Sequence, residues 1–471
     1  LGIIQSDLMI FRNGLWLLHG VDMVKKISQA ISNGLKQLSI SELKLNQKKV
    51  IEAYLKKKDV FFCSPTGSGK SLTFELAPFL FKALSSAHDK TIVLVISPLT
   101  SLIRSQVDAL QKKGLSAHHL SELGGEFADP TIIFASPESI FGTQRKITED
   151  LANRNFIKAI FVDEAHCIKK FFHAAVKIKR KKPAYRPFYG KLGEIRSLTG
   201  ENVPVIALTA TATIETKEHI YKSLSMKKVE EIIVSPNKLN ITYWCIKLQH
   251  SSIRKNFKWL VEELKANKEN TTRMIIFFRQ IKHISEVYEL LEESLGKASY
   301  VNYQEDGPND DRDDVKESIC SSYQDPTGDI RVVLCSTSFG MGLDVKAVDT
   351  VVHYGPANDI DDYLQETGRA GRDPLIQSHA ILMLYKRSLG SRNIIPQMKE
   401  YTKSILCRRQ YECSCEEPCN SVKSKIFERI LLTNEEDSDD SQTSDEGLSD
   451  DSEYIRYLST KPVLNYSSDE D

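Results

Sequence analysis

Short apolar runs recur along this chain, separated by segments with helical spacing. Val60-Phe61-Phe62-Cys63 is one such run, followed by a Gly-rich stretch and then Ser71–Leu84, which reads as a helix. Thr91–Ile96, Thr131–Ala135, Ala159–Val162 and Val205–Leu208 have the same strand-like character, with helical patterns such as Leu99–Lys112 between them. Strands that alternate with helices predict a parallel, helix-covered sheet. The pattern restarts after Pro236: Met274–Phe278, Tyr300–Tyr303, Val332–Cys335 and Thr350–His353 read as strands, and Ile281–Leu295 as an intervening helix. The expectation is an α/β chain with two parallel-sheet domains, 41–235 and 236–388, joined near Ser235-Pro236-Asn237. The duplication is one of fold, with no visible sequence repeat. A segment 1–40 precedes the first domain. A small Cys-bearing module, 389–433, follows the second, and a tail, 434–471, ends the chain. The tail is rich in Ser, Asp and Glu with few aromatics, a composition that stays disordered.

Composition changes this picture in three places. The 471 residues are 41% apolar, enough for two or three domains with real cores. No run of 18 or more apolar residues occurs, so no membrane span is expected. The opening stretch Leu1–Leu18 carries Asp7 and Arg12 and lacks a basic start and a small-residue cleavage site, so it does not read as a signal peptide. A first residue of Leu is the mark of a fragment or an uncertain start, with Met23 an alternative beginning. The formal net charge of zero hides an asymmetry: the tail holds 13 acidic and 2 basic residues, and the rest of the chain 61 basic against 50 acidic. A basic body points to an anionic partner, nucleic acid first, or to no more than a solvated surface. Of nine cysteines, Cys63, Cys167, Cys245, Cys320 and Cys335 are scattered, which suits a reduced compartment. The other four are crowded between Cys407 and Cys419, a cluster that reads as metal before disulfide.

The chemistry is carried by three motifs. Ser64-Pro65-Thr66-Gly67-Ser68-Gly69-Lys70-Ser71 joins a strand to a helix. Gly67, Ser68 and Gly69 let the backbone turn tightly and aim N–H groups at phosphate oxygens, and the helix start adds its dipole. Lys70 would meet the β- and γ-phosphates and the Ser71 hydroxyl a Mg²⁺ ion. Ser64 stands where the usual pattern has its first Gly. Asp163-Glu164 follows the strand Ala159–Val162. There Asp163 can hold Mg²⁺, usually through water, and Glu164 can polarise an attacking water. The bland alternatives, a chance Gly-rich turn and an acidic turn after a strand, do not explain why the two occur together. Gln365-Glu366-Thr367-Gly368-Arg369-Ala370-Gly371-Arg372 supplies arginines that could reach the same phosphates from the second domain.

At these residues the chain resembles the RecQ family of superfamily 2 DNA helicases, from about Leu45 to Cys419. Gln47 is placed like the family's adenine-reading glutamine. Ser97-Pro98-Leu99-Thr100-Ser101-Leu102-Ile103 and Ala135-Ser136-Pro137-Glu138 resemble DNA-contacting motifs. Ala207-Leu208-Thr209-Ala210-Thr211-Ala212-Thr213 looks like the motif that couples hydrolysis to movement. Phe339-Gly340-Met341-Gly342-Leu343-Asp344 and Gln365–Arg372, continuing into Asp373, are similar to the last two motifs. A DEAD-box RNA helicase would show His-Arg-x-Gly-Arg-x-Gly-Arg at that last position. The resemblance implies two tandem RecA-like domains, ATP and Mg²⁺, and single-stranded and tailed duplex DNA as partner. Its catalytic set is Lys70, Asp163, Glu164, Arg369 and Arg372. Its nucleotide contacts are Gln47, Thr66, Gly67, Ser68, Gly69, Lys70, Ser71 and Asp344, with Ser71 and Asp163 on Mg²⁺. Its DNA contacts are Ser97, Pro98, Ser136, Phe171, Phe172 and Arg186. A nuclear site and 3′-to-5′ movement are implied by the family alone. A cation supplied in trans would stabilise charge on the transferring phosphoryl group.

Three departures qualify the match. The family's aromatic loop is represented by Phe171-Phe172-His173 and Arg186-Pro187-Phe188-Tyr189, with Ala174–Tyr185 between them as an insertion containing Lys177, Lys179, Arg180, Lys181 and Lys182. Aromatics suit base stacking at ~1–3 kcal/mol per base and lysines suit phosphates, so the insertion either strengthens DNA binding or breaks the coupling as a gene-model artefact. Tyr303-Gln304 stands where the family often has Tyr-His. The cysteines Cys407, Cys413, Cys415 and Cys419 have spacings x5, x1 and x3, tighter than the family's zinc subdomain. They are either four thiolate ligands of a structural Zn²⁺ or free cysteines of a remnant. After Cys419 no room is left for a winged-helix domain. Ser438, Ser441, Ser444, Ser449 and Ser452 have acidic neighbours suited to an acidophilic kinase, or belong to a merely solubilising tail; protein partners would bind there. The function expected is an ATP-dependent DNA helicase in recombination and repair. The alternatives are a DNA-stimulated translocase that does not unwind and a silent DNA-binding scaffold.

Overall fold

A computed structural model of the chain describes residues 16–86, 89–98, 100–123, 128–129, 131–169, 187–235, 238–296, 301–303, 322, 325, 330–336, 348–373, 375–391, 394–404 and 425–435. Two parallel sheets organise them. The first contains β1 (Val60–Cys63), β2 (Ile92–Ile96), β3 (Ala117–His119), β4 (Thr131–Ala135), β5 (Ile157–Val162), β6 (Val205–Thr209) and β7 (Glu230–Ile233). Their order across the sheet is β3-β4-β2-β5-β6-β1-β7. The second contains β8 (Ile241–Lys247), β9 (Met274–Phe278), β10 (Val301–Tyr303), β11 (Val332–Ser336), β12 (Thr350–Tyr354) and β13 (Ser378–Leu384), in the order β10-β11-β9-β12-β13-β8.

The apolar runs are continuous because helices cover both faces of each sheet, as parallel sheets require. Every residue of β1, β2, β4 and β6 is buried. Successive side chains go to opposite faces: Val60 and Phe62 pack with Tyr54, Leu76 and Leu80, while Phe61 and Cys63 pack with Leu192, Ile195 and Ile220. In the second sheet Met274, Ile276 and Phe278 face one core, and Ile275 and Phe277 the other.

The eight strands read from the sequence beyond the phosphate loop are present, with ends moved by at most two residues. Four strands were not anticipated. β3 is three residues long and β7 reads Glu-Glu-Ile-Ile, both too short to show a period. β8 and β13 are clear apolar runs, and they pair over seven residues from Ser378↔Ile241 to Leu384↔Lys247. The helix expected over Ser71–Leu84 is two, Leu72–Glu75 and Ala77–Leu84. Pro78 has no N–H to donate and is accommodated in the first turn of the second helix.

The first and last described helices are tied to these domains. The helix Trp16–Leu38 contributes Ile27, Ala30 and Leu38 to the first core. It comes so close that a Cβ on Gly34 would lie 2.5 Å from Leu76 Cδ2. The last helix, Lys425–Glu435, places Ile426, Phe427 and Ile430 in the second domain's core. The Phe427 ring stacks on Trp244, centroids 4.2 Å apart. Among the described residues no helix is long and apolar enough to cross a membrane.

Candidate active site

The first sheet directs its motifs to one edge, since all its strands are parallel and ligand-binding loops of such sheets follow the strands' carboxyl ends. The phosphate loop leaves β1, Ser97 leaves β2, Ser136 leaves β4, Asp163 leaves β5 and the Thr211–Thr213 segment leaves β6. In the loop, Gly67 and Gly69 have φ of +79° and +85°, the left-handed region that glycine enters without steric cost. Lys70 Nζ donates to Ser64 O at 2.7 Å and Pro65 O at 3.2 Å, folding over the loop it belongs to. Gln47, on the helix Leu45–Leu55, is buried against the loop. Its Nε2 donates to Gly69 O at 2.9 Å and its Oε1 accepts from Lys44 N at 2.8 Å. The amide proposed to read a base therefore also fastens the phosphate loop to this helix. The Ser68 hydroxyl is buried with no hydrogen-bond partner among the described residues.

The acidic pair sits opposite. Asp163 N donates to Ile96 O at 2.8 Å, which registers β5 on β2, and Asp163 Oδ1 accepts from Glu164 N at 3.0 Å. Burial raises the Asp163 pKa, and the Lys70 charge, the Glu164 amide and the Gln106 side chain oppose it. Burial lowers the Lys70 pKa, and the Glu164 and Asp163 charges oppose that. The lysine and the two carboxylates therefore stabilise one another in a poorly solvated place. Glu164 has φ +48°, uncommon for a residue with a side chain. The next turn brings buried His166 within 3.4 Å of Glu164 Oε2 and 3.2 Å of Thr209 Oγ1, both measured from Nδ1.

The second domain reaches this site through the helix Ile360–Thr367 and the residues after it. Thr66 Oγ1 donates to Gly368 O at 2.8 Å, and a Cβ on Gly67 would lie 3.9 Å from Arg372 Cγ. Buried Arg369 has its pKa lowered by burial and then by Arg372, against Glu366, Cys335 and Glu164. Lys238 Nζ, on the link between the domains, donates to Gly368 O at 2.6 Å and Ala370 O at 3.0 Å. Burial pushes its pKa down to about 8, helped by Arg372 and Lys70. Lys70, Lys238, Arg369 and Arg372 thus converge on the loop, a cluster that a polyanion would neutralise. Thr211, Thr213 and Thr216 of the first domain meet Asp361 of the same second-domain helix.

A hydroxyl at Ser71 and a carboxylate at Asp163, beside backbone that accepts phosphate, form an oxygen donor set that fits Mg²⁺ arriving with a nucleotide. Among the described residues no group of three or more His, Cys, Asp or Glu could hold a metal by itself. Of the expected DNA contacts, Ser97 and Pro98 are buried, because Ser97 N extends the β2 ladder to Ala135 O at 3.0 Å. Ser136 Oγ accepts from Ser139 N at 3.2 Å and caps the turn after β4. The exposed positions at this edge include Thr100 and Arg104. Phe171, Phe172, Arg186, Asp344, Cys407, Cys413, Cys415 and Cys419 lie outside the described residues. Sequence reasoning missed Lys238, His166 and Asp361. The His follows the acidic pair directly, which was a usable signal; Lys238 and Asp361 are defined only by how the domains meet.

Comparison with known proteins adds identity to this geometry. Residues 44–220 match a DEAD/DEAH box helicase domain, and residues 255–374 a helicase conserved C-terminal domain. The chain is 29% identical over 415 residues to RecQ-like DNA helicase blm-1 of Caenorhabditis elegans, covering 84% of this chain and 38% of that protein. It is 29% identical over 395 residues to ATP-dependent DNA helicase RecQ of Haemophilus influenzae, 77% of this chain and 57% of the relative. It is 31% identical over 342 residues to ATP-dependent helicase SGS1 of Saccharomyces cerevisiae, 70% and 22%. The chain thus spans well under two thirds of each relative's length. The fold matches helicase MrfA bound to DNA (TM-score 0.59, 16% identity, 80% of this chain and 53% of that one). It also matches the DEAD-box helicase Mss116 bound to single-stranded RNA (TM-score 0.58, 16% identity, 87% and 80%). With both helicase domains in place, the chain is a two-domain helicase core similar over most of its length to bacterial, yeast and worm RecQ proteins.

Proposed function

We propose that the chain is an ATP-dependent DNA helicase that couples ATP hydrolysis to 3′-to-5′ movement on single-stranded DNA and to duplex unwinding. The observation that carries this reading is the joint construction of the phosphate site. Arg372 of the second domain lies against Gly67 of the first, and Arg369 lies in the field of Glu164. A site made this way is complete only when the domains are closed, so hydrolysis and domain motion are linked. The relatives named as DNA helicases favour DNA over RNA as the track.

In this mechanism the amides around Gly67–Lys70 and the Lys70 ammonium hold the phosphates. Ser71 and Asp163 hold Mg²⁺, which when bound neutralises charge on the phosphate oxygens. Glu164 orients the attacking water and accepts its proton. Arg369 and Arg372 stabilise charge that grows on the transferring phosphoryl group, and they leave when the domains open. Basic and aromatic positions near 171–186 are assigned to DNA by resemblance, as are a nuclear location and a zinc ion on Cys407, Cys413, Cys415 and Cys419. Metal analysis of the purified chain tests the zinc, with one ion per chain expected.

ATP turnover with and without single-stranded DNA, followed by strand displacement on a 3′-tailed duplex, tests the reading. Stimulation with displacement is expected. Absence of stimulation refutes the motor, and stimulation without displacement assigns a translocase instead. Lys70→Ala abolishes turnover; activity surviving that change refutes the assigned phosphate loop.

A further inference from the structure

We propose that Asp361 is a positioning residue for hydrolysis: from the second domain it clamps Thr213 and Thr216 of the first, and through Thr211, Thr209 and His166 it fixes the orientation of Glu164. The inference rests on the motor reading and adds a residue and a route to it.

The contacts form a chain of short steps. Asp361 Oδ2 accepts from Thr216 Oγ1 at 2.9 Å and Oδ1 accepts from Thr213 N at 3.1 Å. A carboxylate from one domain thereby caps the helix Ile214–Ser223 of the other, beside Thr213's own cap. Asp361 O accepts from Thr211 Oγ1 at 3.3 Å. Thr211 O accepts in turn from Thr209 Oγ1 at 2.7 Å. A hydroxyl has one proton. Because Thr209 gives its proton to Thr211 O, its oxygen can only accept from His166 Nδ1, 3.2 Å away. This sets the His166 tautomer with its Nδ1 proton given to Thr209, and places that edge of the ring 3.4 Å from Glu164 Oε2 as a packing contact, not a hydrogen bond. His166, Thr209, Thr211, Thr216 and Asp361 are all buried, so water does not replace a lost link.

The placement of Asp361 gives the chain a switch. It occupies the first turn of the helix Ile360–Thr367, and Arg369 and Arg372 follow that helix's end. A movement of the second domain that withdraws the arginines also withdraws Asp361, because all three belong to one short stretch of that domain. Loss of the clamp then releases Thr211 and, behind it, the His166 ring that packs against Glu164. The glutamate is thereby set for water only when the arginines are in place.

The test uses the full chain and three measurements. Asp361→Asn removes the charge and is expected to lower kcat of DNA-stimulated ATP turnover by about tenfold while KM for ATP changes by less than about threefold. Thr216→Val behaves likewise, and Thr216→Ser, which keeps the hydroxyl, recovers most of the lost rate. Combined with His166→Ala, Asp361→Asn adds little further loss, since both act on one route. Hydrogen exchange of residues 209–216, read by mass spectrometry without nucleotide, rises in Asp361→Asn and not elsewhere. Unchanged exchange overturns the clamp whether or not the chain turns over ATP. Normal kcat in Asp361→Asn, a KM effect alone, or multiplied losses in the double variant overturn the positioning role. A wild-type chain without DNA-stimulated turnover overturns the motor reading, a result distinct from any of these.

Discussion

Asp59 stands at the end of β1 opposite the phosphate loop, and its removal is a severe test of how the first sheet is held. Its carboxylate is 4% exposed and meets Arg196, 9% exposed, at 2.6 Å. Oδ1 also accepts from Val205 N at 2.9 Å and Oδ2 from Lys227 N at 2.7 Å, while the backbone O accepts from Glu230 N at 2.8 Å. One side chain thus pins the start of β6 and the approach to β7 to the start of β1. Asp59→Ala leaves a buried guanidinium without its carboxylate, and one buried and one part-buried amide without an acceptor, a loss of about 3–5 kcal/mol. At ~2–4 °C per kcal/mol for a domain of this size, that is a fall in the first domain's melting temperature of roughly 6–20 °C. Scanning calorimetry of the full chain measures it. Arg196→Met should be similarly harmful alone. The double variant removes the stranded charge, so it should cost less than the sum of the two by about 1–2 kcal/mol. A shift below about 2 °C for Asp59→Ala, or additive losses in the double variant, refutes the argument.

Other outcomes follow from single contacts. Gly67→Ala and Gly69→Ala each put a side chain at positive φ, costing ~1–2 kcal/mol, but only at Gly69 would the Cβ lie 2.7 Å from Gln47 Nε2. Displacing that hydrogen bond costs about 1 kcal/mol more, so fluorescent-nucleotide titration should show affinity falling about fivefold further for Gly69→Ala; equal losses refute it. Lys238, with its pKa down to about 8, is mostly neutral at pH 9, and phosphates raise that pKa again. Nucleotide binding near pH 9 should therefore take up a proton, seen by calorimetry in buffers of different ionisation enthalpy, and Lys238→Met should abolish the uptake. The same depressed pKa means that the unfolded chain holds more protons between about pH 8 and 10.4, so this group favours the folded state increasingly as pH rises through that window. Phe427→Ala removes a ring stacked on Trp244 at 4.2 Å and should destabilise the second domain by about 3–5 kcal/mol, read as a lower urea midpoint by tryptophan fluorescence.

The sheets were legible because parallel strands buried on both faces leave uninterrupted apolar runs, as at Ile92–Ile96 and Met274–Phe278. β7 escaped because an edge strand of Glu-Glu-Ile-Ile has only one face to hide. At the site, residues fixed by local chemistry were readable: glycines that must turn, a lysine after them, carboxylates at a strand end. The burial of Ser97 was not, because its place in the ladder depends on β4. Lys238 and Asp361 were invisible for a further reason. Each acquires its role from a backbone or helix end supplied by a distant part of the chain, and neither has a neighbour pattern that announces it.

The position of β1 has a consequence for how the chain is made. This strand lies between β6 and β7, paired with Ile206–Thr209 on one side and Glu230–Ile233 on the other. On a ribosome it emerges before the other strands of its sheet and waits for both neighbours until residue 233 has been synthesised. The phosphate loop therefore has no fixed strand beneath it, and no nucleotide can assist folding, until the first sheet is nearly finished. Until then Val60-Phe61-Phe62-Cys63 presents an apolar strand with two open edges, which is where a chaperone would find most to protect.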